Sequence, residues 1–402
     1  MSVQTWPPAH WPGRSATLFA RRSRAGALRA FVFVFLALGA GVCAAQITDR
    51  GIDYRVPSGD GKELVYHFPY LEAVDHSVAD RINTYLHVEY LKVLPAPLAG
   101  AWKPGAAPIG LAADSSLNEI RSEGVKTSNG GRILSVSLFL SGCGAYCSEA
   151  SDHVEFDSRT GRLIVGAELV TKAGLAVIAR ESNRAHAAIL AKEIARLEKQ
   201  IASNKRSKER SLEDMGMQLE IYQSCLDSRY TGEAAEREGT PELVSVGEAS
   251  IHYFHGDCSS HASRALDDLG EYTYKRSAQQ MRPYLTAYGK YLLLGEGDGA
   301  IPAISPVMQI FKGTIGGKYP VTLALGGIGA GARLDQRASS YFYDKHRKSI
   351  ALRGVRKGAG YEFAETDSKE TPKPVLSFWV EGDKLRGTWR GAGKTLSFEA
   401  TP

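Results

Sequence analysis

The stretch HVEFDSRTGRLI at 153–164 sets His153, Glu155 and Asp157 at every second position. On a strand alternate residues share a face, so these three could ligate a metal such as zinc through one imidazole and two carboxylates. The same letters also spell a half-buried strand. Val154 and Phe156 would turn inward, the polar residues would turn outward, and Asp157 would start the turn that Ser-Arg-Thr-Gly completes. The hairpin accounts for every residue of the stretch, so no metal is expected there. His252, His255, Asp257 and His261 form a second cluster. His252 and His255 fall on opposite faces of a strand, and Cys258 inside the cluster is expected to be oxidised, so these histidines are read as structural.

Other chemistry-bearing patterns are thin. Gly327, Gly329 and Ala332 fit the Gly-x-Gly-x-x-Ala spacing of a dinucleotide loop. That loop must open a helix, whereas RLDQRASSYFYD offers a polar turn and another strand, so no cofactor is expected. The chain contains no Gly-x-Ser-x-Gly elbow, no His-Glu-x-x-His and no phosphate loop. A binding protein is therefore expected rather than an enzyme. The alternative is an envelope hydrolase whose serine, histidine and aspartate are dispersed along the chain.

The N-terminus points to export. Arg14, Arg21, Arg22, Arg24 and Arg29 precede the apolar run AFVFVFLALGAGV and the small residues Cys43, Ala44 and Ala45, with no acid among them. This is a secretory signal over residues 1–45. Its run of about 13 residues is short of the ~20 that a membrane-spanning helix needs, so cleavage and a mature chain without a membrane span are expected. Of the 49 basic residues those five arginines lie in the signal, leaving 44 basic against 44 acidic. That balance argues against nucleic acid, which is bound by releasing counterions to a basic excess. Cys143, Cys147, Cys225 and Cys258 remain, and an even count in an exported chain favours disulfides. Three pairings are open. Cys143 with Cys147 and Cys225 with Cys258 is preferred, because only three residues separate the first two, which should meet in a turn.

These residues must be positioned by two domains. From 46 to 294 the chain reads as α+β, an antiparallel sheet with packed helices. Asp75 caps a helix whose apolar positions Val78, Ile82, Tyr85, Leu86 and Val93 keep the helical period up to Pro95. RILSVSLFLSG and DHVEF-SRTG-RLIV supply central strands around Gly161. A helix begins near Ala173, and a charged helical insertion covers about 182–228, with Ser211 and Asp214 as a capping pair. Residues 295–306 have linker composition. From 307 to 402, short alternating segments predict a small all-β module, a meander barrel or sandwich, with Trp379 and Trp389 filling its core.

Three blocks of the first domain carry a family resemblance: YHFPYLEAVDHSVADRINTYL, LSVSLFLSGCGAYCSEASDHVEFDSRTGRLIVGAELV, and ASIHYFHGDC through YTYKRSAQQMRPYL. Together they resemble the extracytoplasmic domain shared by lysozyme-sensing anti-sigma factors and the non-catalytic region of certain peptidoglycan deacetylases, the RsiV/PdaC-like domains. The resemblance implies an α+β fold with recognition in place of catalysis, in a periplasmic or secreted protein. The expected partner is an envelope or secreted protein or a cell-wall glycan. The expected contact surface is the turn around Tyr146, closed by Cys143 and Cys147, with His153, Glu155 and Asp157 at its rim.

Overall fold

The computed structural model describes residues 47–57, 63–95, 118–143, 147–203, 211–230, 244–301, 309–326 and 339–402. The expected signal, Tyr146, the glycine motif at 327–332 and residues 302–306 of the expected linker lie outside the described residues. Among the described residues no helix is long and apolar enough to cross a membrane.

The α+β part runs β1 (Thr48–Asp49), β2 (Ile52–Pro57), β3 (Glu63–Phe68), β4 (Leu71–Glu72), α1 (His76–Leu86), β5 (Glu119–Ser128), β6 (Ile133–Cys143), β7 (Cys147–Asp157), β8 (Arg162–Leu163), α2 (Gly166–Leu169), α3 (Lys172–Ala202), α4 (Leu212–Tyr230), β9 (Val244–Gly247), β10 (Ser250–His255), β11 (Tyr272–Ser277), α5 (Ala278–Met281) and α6 (Ala287–Leu294). A six-stranded sheet has the order β2-β3-β5-β6-β7-β8, antiparallel except where His67 of β3 meets Arg121 of β5. A three-stranded sheet has the order β11-β10-β9, and β1 pairs with β4.

Alternation on β6 and β7 explains how the large sheet is covered. Leu134, Val136 and Leu138, with Val154 and Phe156, pack against Val78, Ile82 and Tyr85 of α1. Ile133 joins a second core with Leu169, Met281, Tyr288 and Leu292, so the opposite face is covered where α2, α5 and α6 lie. Asp75 caps α1 as expected, accepting from the Ser77 amide at 2.9 Å. The helix stops sooner than its apolar period suggests. A π-helical turn, His87–Leu91, follows Leu86, and Lys92 ends it in the left-handed region. Gly161 closes the β7–β8 turn at φ 67°, where a Cβ would stand 2.6 Å from the Val78 carbonyl oxygen. Only glycine lets the turn lie this close to α1.

No helix breaker separates the segment beginning at Lys172 from the charged stretch beyond Ser182, and α3 runs unbroken for 31 residues. It packs with α4 over Leu190, Leu197, Met215 and Tyr222, which form a small core of their own. Ser211 and Asp214 cap α4 reciprocally, at 3.1 and 3.2 Å. The disulfides are Cys143–Cys147 and Cys225–Cys258. Both are typical of proteins that mature in an oxidising compartment.

The C-terminal part is a barrel rather than a sandwich. β12 (Gln309–Ile315), β13 (Tyr319–Leu325), β14 (Ser339–Tyr343), β15 (Ser349–Lys357), β16 (Gly360–Glu365), β17 (Val375–Glu381), β18 (Lys384–Gly391) and β19 (Lys394–Thr401) pair in chain order, and β19 returns to β12. Phe311, Leu323, Tyr341, Phe363, Phe378 and Phe398 fill it. Trp389 packs against this core. Trp379 does not: strand alternation places it opposite Phe378, and it is 50% exposed. Two outward residues of the barrel, Ile310 and Phe342, are buried in the core of the six-stranded sheet.

Candidate functional site

Residues 76, 80, 83 and 84 recur at helical spacing, so α1 turns one polar stripe, with Ala79 beside it, away from the sheet. His76 and Asp80 at its outer end are exposed, whereas Asn83 and Thr84 are buried. The stripe forms one wall of a cleft of about 1010 Å³ whose other wall is the barrel, through Lys312, Thr322, Asp344 and Arg347. Tyr70, Glu72, Leu94 and Pro95 also line it.

The frame of this cleft is held by specific bonds. The Asn83 amide accepts from the Leu71 N–H and donates to the Leu71 carbonyl, both at 2.8 Å, which pins β4 to α1. Thr84 donates to the Asp80 carbonyl at 2.6 Å, and Thr322 donates to the Asp344 carboxylate at 2.9 Å. Arg347, on the turn after β14 at φ 56°, donates to the Leu94 carbonyl at 2.7 Å and to that of Pro95. Burial lowers the Arg347 pKa. Glu72 is paired with Arg50 at 2.7 Å.

His87 stands one turn beyond Asn83, fully buried against Phe68 and Tyr70. Its Nδ1 lies 2.7 Å from the Asn83 carbonyl and its Nε2 2.7 Å from the Tyr54 hydroxyl. A carbonyl only accepts, so Nδ1 carries the proton and Nε2 accepts from Tyr54. Burial lowers the His87 pKa to about 4, and burial raises that of Tyr70 to about 12. Both groups are neutral at pH 7.

A second polar cluster joins α3, α4 and β10. Ser182 Oγ lies 2.5 Å from His255 Nε2, His255 Nδ1 lies 2.9 Å from the Tyr230 hydroxyl, and that hydroxyl lies 2.6 Å from His186 Nδ1. Two opposite relays give every contact a donor and an acceptor, Ser182 donating to His255, His255 to Tyr230 and Tyr230 to His186, or the reverse with the other tautomers. A serine on an imidazole invites comparison with a nucleophile and its base. Here the third member is a phenol where a carboxylate would orient the base, and Ser182 is fully buried. The arrangement is a structural seam between the helical hairpin and the small sheet. The sequence reading overlooked Ser182 and His186, which lie about 70 residues from His255 and are joined to it only by the fold.

The expected contact surface is changed by the fold. Tyr146 lies outside the described residues. His153 is exposed and bonded to Ser137 at 2.9 Å. Glu155 and Asp157, read as outward, are buried. Tyr288 of α6 donates to Asp157 at 3.0 Å, so that carboxylate belongs to the interior. Burial, reinforced by the negative Asp152, raises the Glu155 pKa to about 8. Among the described residues no group of three histidine, cysteine, aspartate or glutamate side chains is placed to hold a metal. Of the second histidine cluster, His252 bonds Ser250 at 3.0 Å, and Asp257 pairs with Arg264 at 2.7 Å.

No family model and no curated protein matches the chain. Among solved structures it is similar to a DUF3298-family protein from Bacteroides fragilis, 12% identical, over 62% of this chain and 96% of that one, with a TM-score of 0.33. It is also similar to a DUF3298-family protein from Pseudomonas aeruginosa, 12% identical, over 60% of this chain and 94% of that one, with a TM-score of 0.30. Likeness this distant identifies neither fold nor activity.

Proposed function

We propose that this chain is an exported, periplasmic or secreted recognition protein of the cell envelope, non-catalytic, which holds a protein or cell-wall ligand in the cleft between α1 and the barrel. The observation that carries this reading is the cleft itself, about 1010 Å³ and walled by both parts of the molecule. Ligand sites favour such seams, with a few fixed polar groups in a concave surface. Asn83, Thr322 and Arg347 are bonded into the frame, which limits the entropy lost when a ligand docks. The disulfides and the resemblance to lysozyme-sensing ectodomains support an envelope setting. Burial of Glu155 and Asp157 moves the favoured contact surface from the β6–β7 hairpin to the cleft.

The test compares capture from envelope extract by the mature protein and by an Asp80→Lys variant, which reverses an exposed charge on the cleft wall. The variant should lose the ligand that the wild type retains, with an unchanged melting temperature. Equal capture by both would remove the cleft from the reading, and hydrolysis of wall fragments by the purified protein would overturn the reading as a whole.

A further inference from the structure

Among the described barrel residues Tyr319 is 46% exposed, and Trp379, at 50%, is the large aromatic turned furthest into solvent. It sits between two hollows on the outer barrel wall. One, of about 620 Å³, is lined by Trp379, Arg386, Ser397, Glu399 and Lys312 among others. The other, of about 330 Å³, includes Lys357, Gly360, Glu362 and Trp379. Lys312 also lines the cleft against α1. Three concavities therefore follow one another, the first two sharing Lys312 and the last two sharing Trp379.

The strand register explains the floor of this path. Trp379 pairs with Arg386, Arg386 with Glu399, and Glu399 with Thr314, so one outward row crosses four strands. Lys312 pairs with Thr401 in the adjoining row. On the other side of the indole, a Cβ added to Gly360 would stand 3.6 Å from Trp379 Cβ, so a glycine leaves that flank clear of a side chain. The result is an aromatic face bordered by hydroxyls and ion pairs.

Resting on the recognition reading above, we infer that this path is an oligosaccharide track that extends the cleft across Lys312 to Trp379. A pyranose ring presents one face of C–H groups, which an indole accepts as an apolar and quadrupolar surface. Its hydroxyls both donate and accept, and Arg386, Glu399, Ser397 and Thr314 supply both roles with charge-assisted strength. Two rival polymers fit less well. A peptide strand adds to a free sheet edge, and this barrel is closed from β12 round to β19. Nucleic acid needs unneutralised cations, whereas Arg386 is shared between Glu381 at 2.9 Å and Glu399 at 3.5 Å, and Lys384 pairs with Glu399 at 3.0 Å.

The test uses a disaccharide and a hexasaccharide of N-acetylglucosamine, titrated calorimetrically into the mature protein and into Trp379→Ala and Asp80→Lys variants. Wild type should bind the longer sugar more tightly, and Trp379→Ala should weaken that binding roughly tenfold, as expected for one lost aromatic contact, while leaving the disaccharide unaffected. Trp379→Phe, which keeps a ring, should restore most of the loss. A hexasaccharide affinity unchanged in Trp379→Ala would overturn the track. If neither sugar binds wild type while Asp80→Lys still abolishes capture from envelope extract, the track fails and the cleft reading survives. Loss of both sugars in Asp80→Lys alone would place the whole ligand in the cleft and equally refute the extension.

Discussion

Arg347 of the barrel donates to the Leu94 carbonyl at 2.7 Å, spanning 253 residues of sequence to tie the barrel to the segment after α1. Beside it, the outward Ile310 and Phe342 are buried in the core of the six-stranded sheet. The two parts are thus joined by apolar area as well as by a cation on backbone carbonyls.

Replacing Arg347 with alanine should lower stability by about 2 kcal/mol, the worth of a charged hydrogen bond to partly buried acceptors. Phe342→Ser should cost more, because it empties a buried aromatic site. Calorimetry should show one transition in wild type and a broadened or split one in the variants. The barrel expressed alone should fold on its own core yet self-associate, since Ile310 and Phe342 are then exposed.

Stability should fall on acidification through the seam of Ser182, His255, Tyr230 and His186. Burial lowers both histidine pKa values to about 4, with Arg229 adding to the effect and Asp267 opposing it at His186. The unfolded chain takes up protons near the ordinary value of about 6.5 and the folded chain only near 4, so stability is full above 6.5 and lost as pH falls towards 4. The loss should be on the order of a few kcal/mol in urea titrations. A His186→Gln, His255→Gln double variant should show a shallower slope in that window, and an unchanged slope would show that other groups govern it.

Glu155 should act in the opposite direction. Its folded pKa is raised to about 8, so it favours the folded state below the ordinary carboxyl value of 4.5 and loses that contribution as pH rises from 4.5 through 8. Glu155→Gln keeps the shape and removes the titration. Its melting temperature should exceed that of wild type at pH 8 and match it at pH 4.5.

Cys225 and Cys258 close a loop with a sequence separation of 33. Substituting both with serine should cost about 3 kcal/mol through the freed unfolded chain. The damage should be local, because Cys225 packs in the small core of α3 and α4. Limited proteolysis should cut α4 first in the variant, while the barrel stays intact.

The spacing of Cys143 and Cys147, the Asp75 cap, the hairpin at Gly161 and the short alternating segments after 307 were legible because each is local. A turn, a helix start and a strand are set by neighbours a few residues away. The polar stripe of His76, Asp80, Asn83 and Thr84 was not read from the sequence, because only the apolar period of that helix was followed and nothing in the stripe shows that a cleft lies opposite. Tertiary structure decided which faces were covered. Alternation correctly grouped His153, Glu155 and Asp157 on one side of β7. Only the packing of α6, whose Tyr288 reaches Asp157, turned part of that side into interior. Trp379 was misplaced for the converse reason: a tryptophan in a small module is expected to fill its core, but the register with Phe378 and Arg386 left it outside. Periodicity along a strand reports which side chains share a face, whereas burial of that face depends on elements distant in sequence, and the cleft needed α1 and the barrel to meet before it existed.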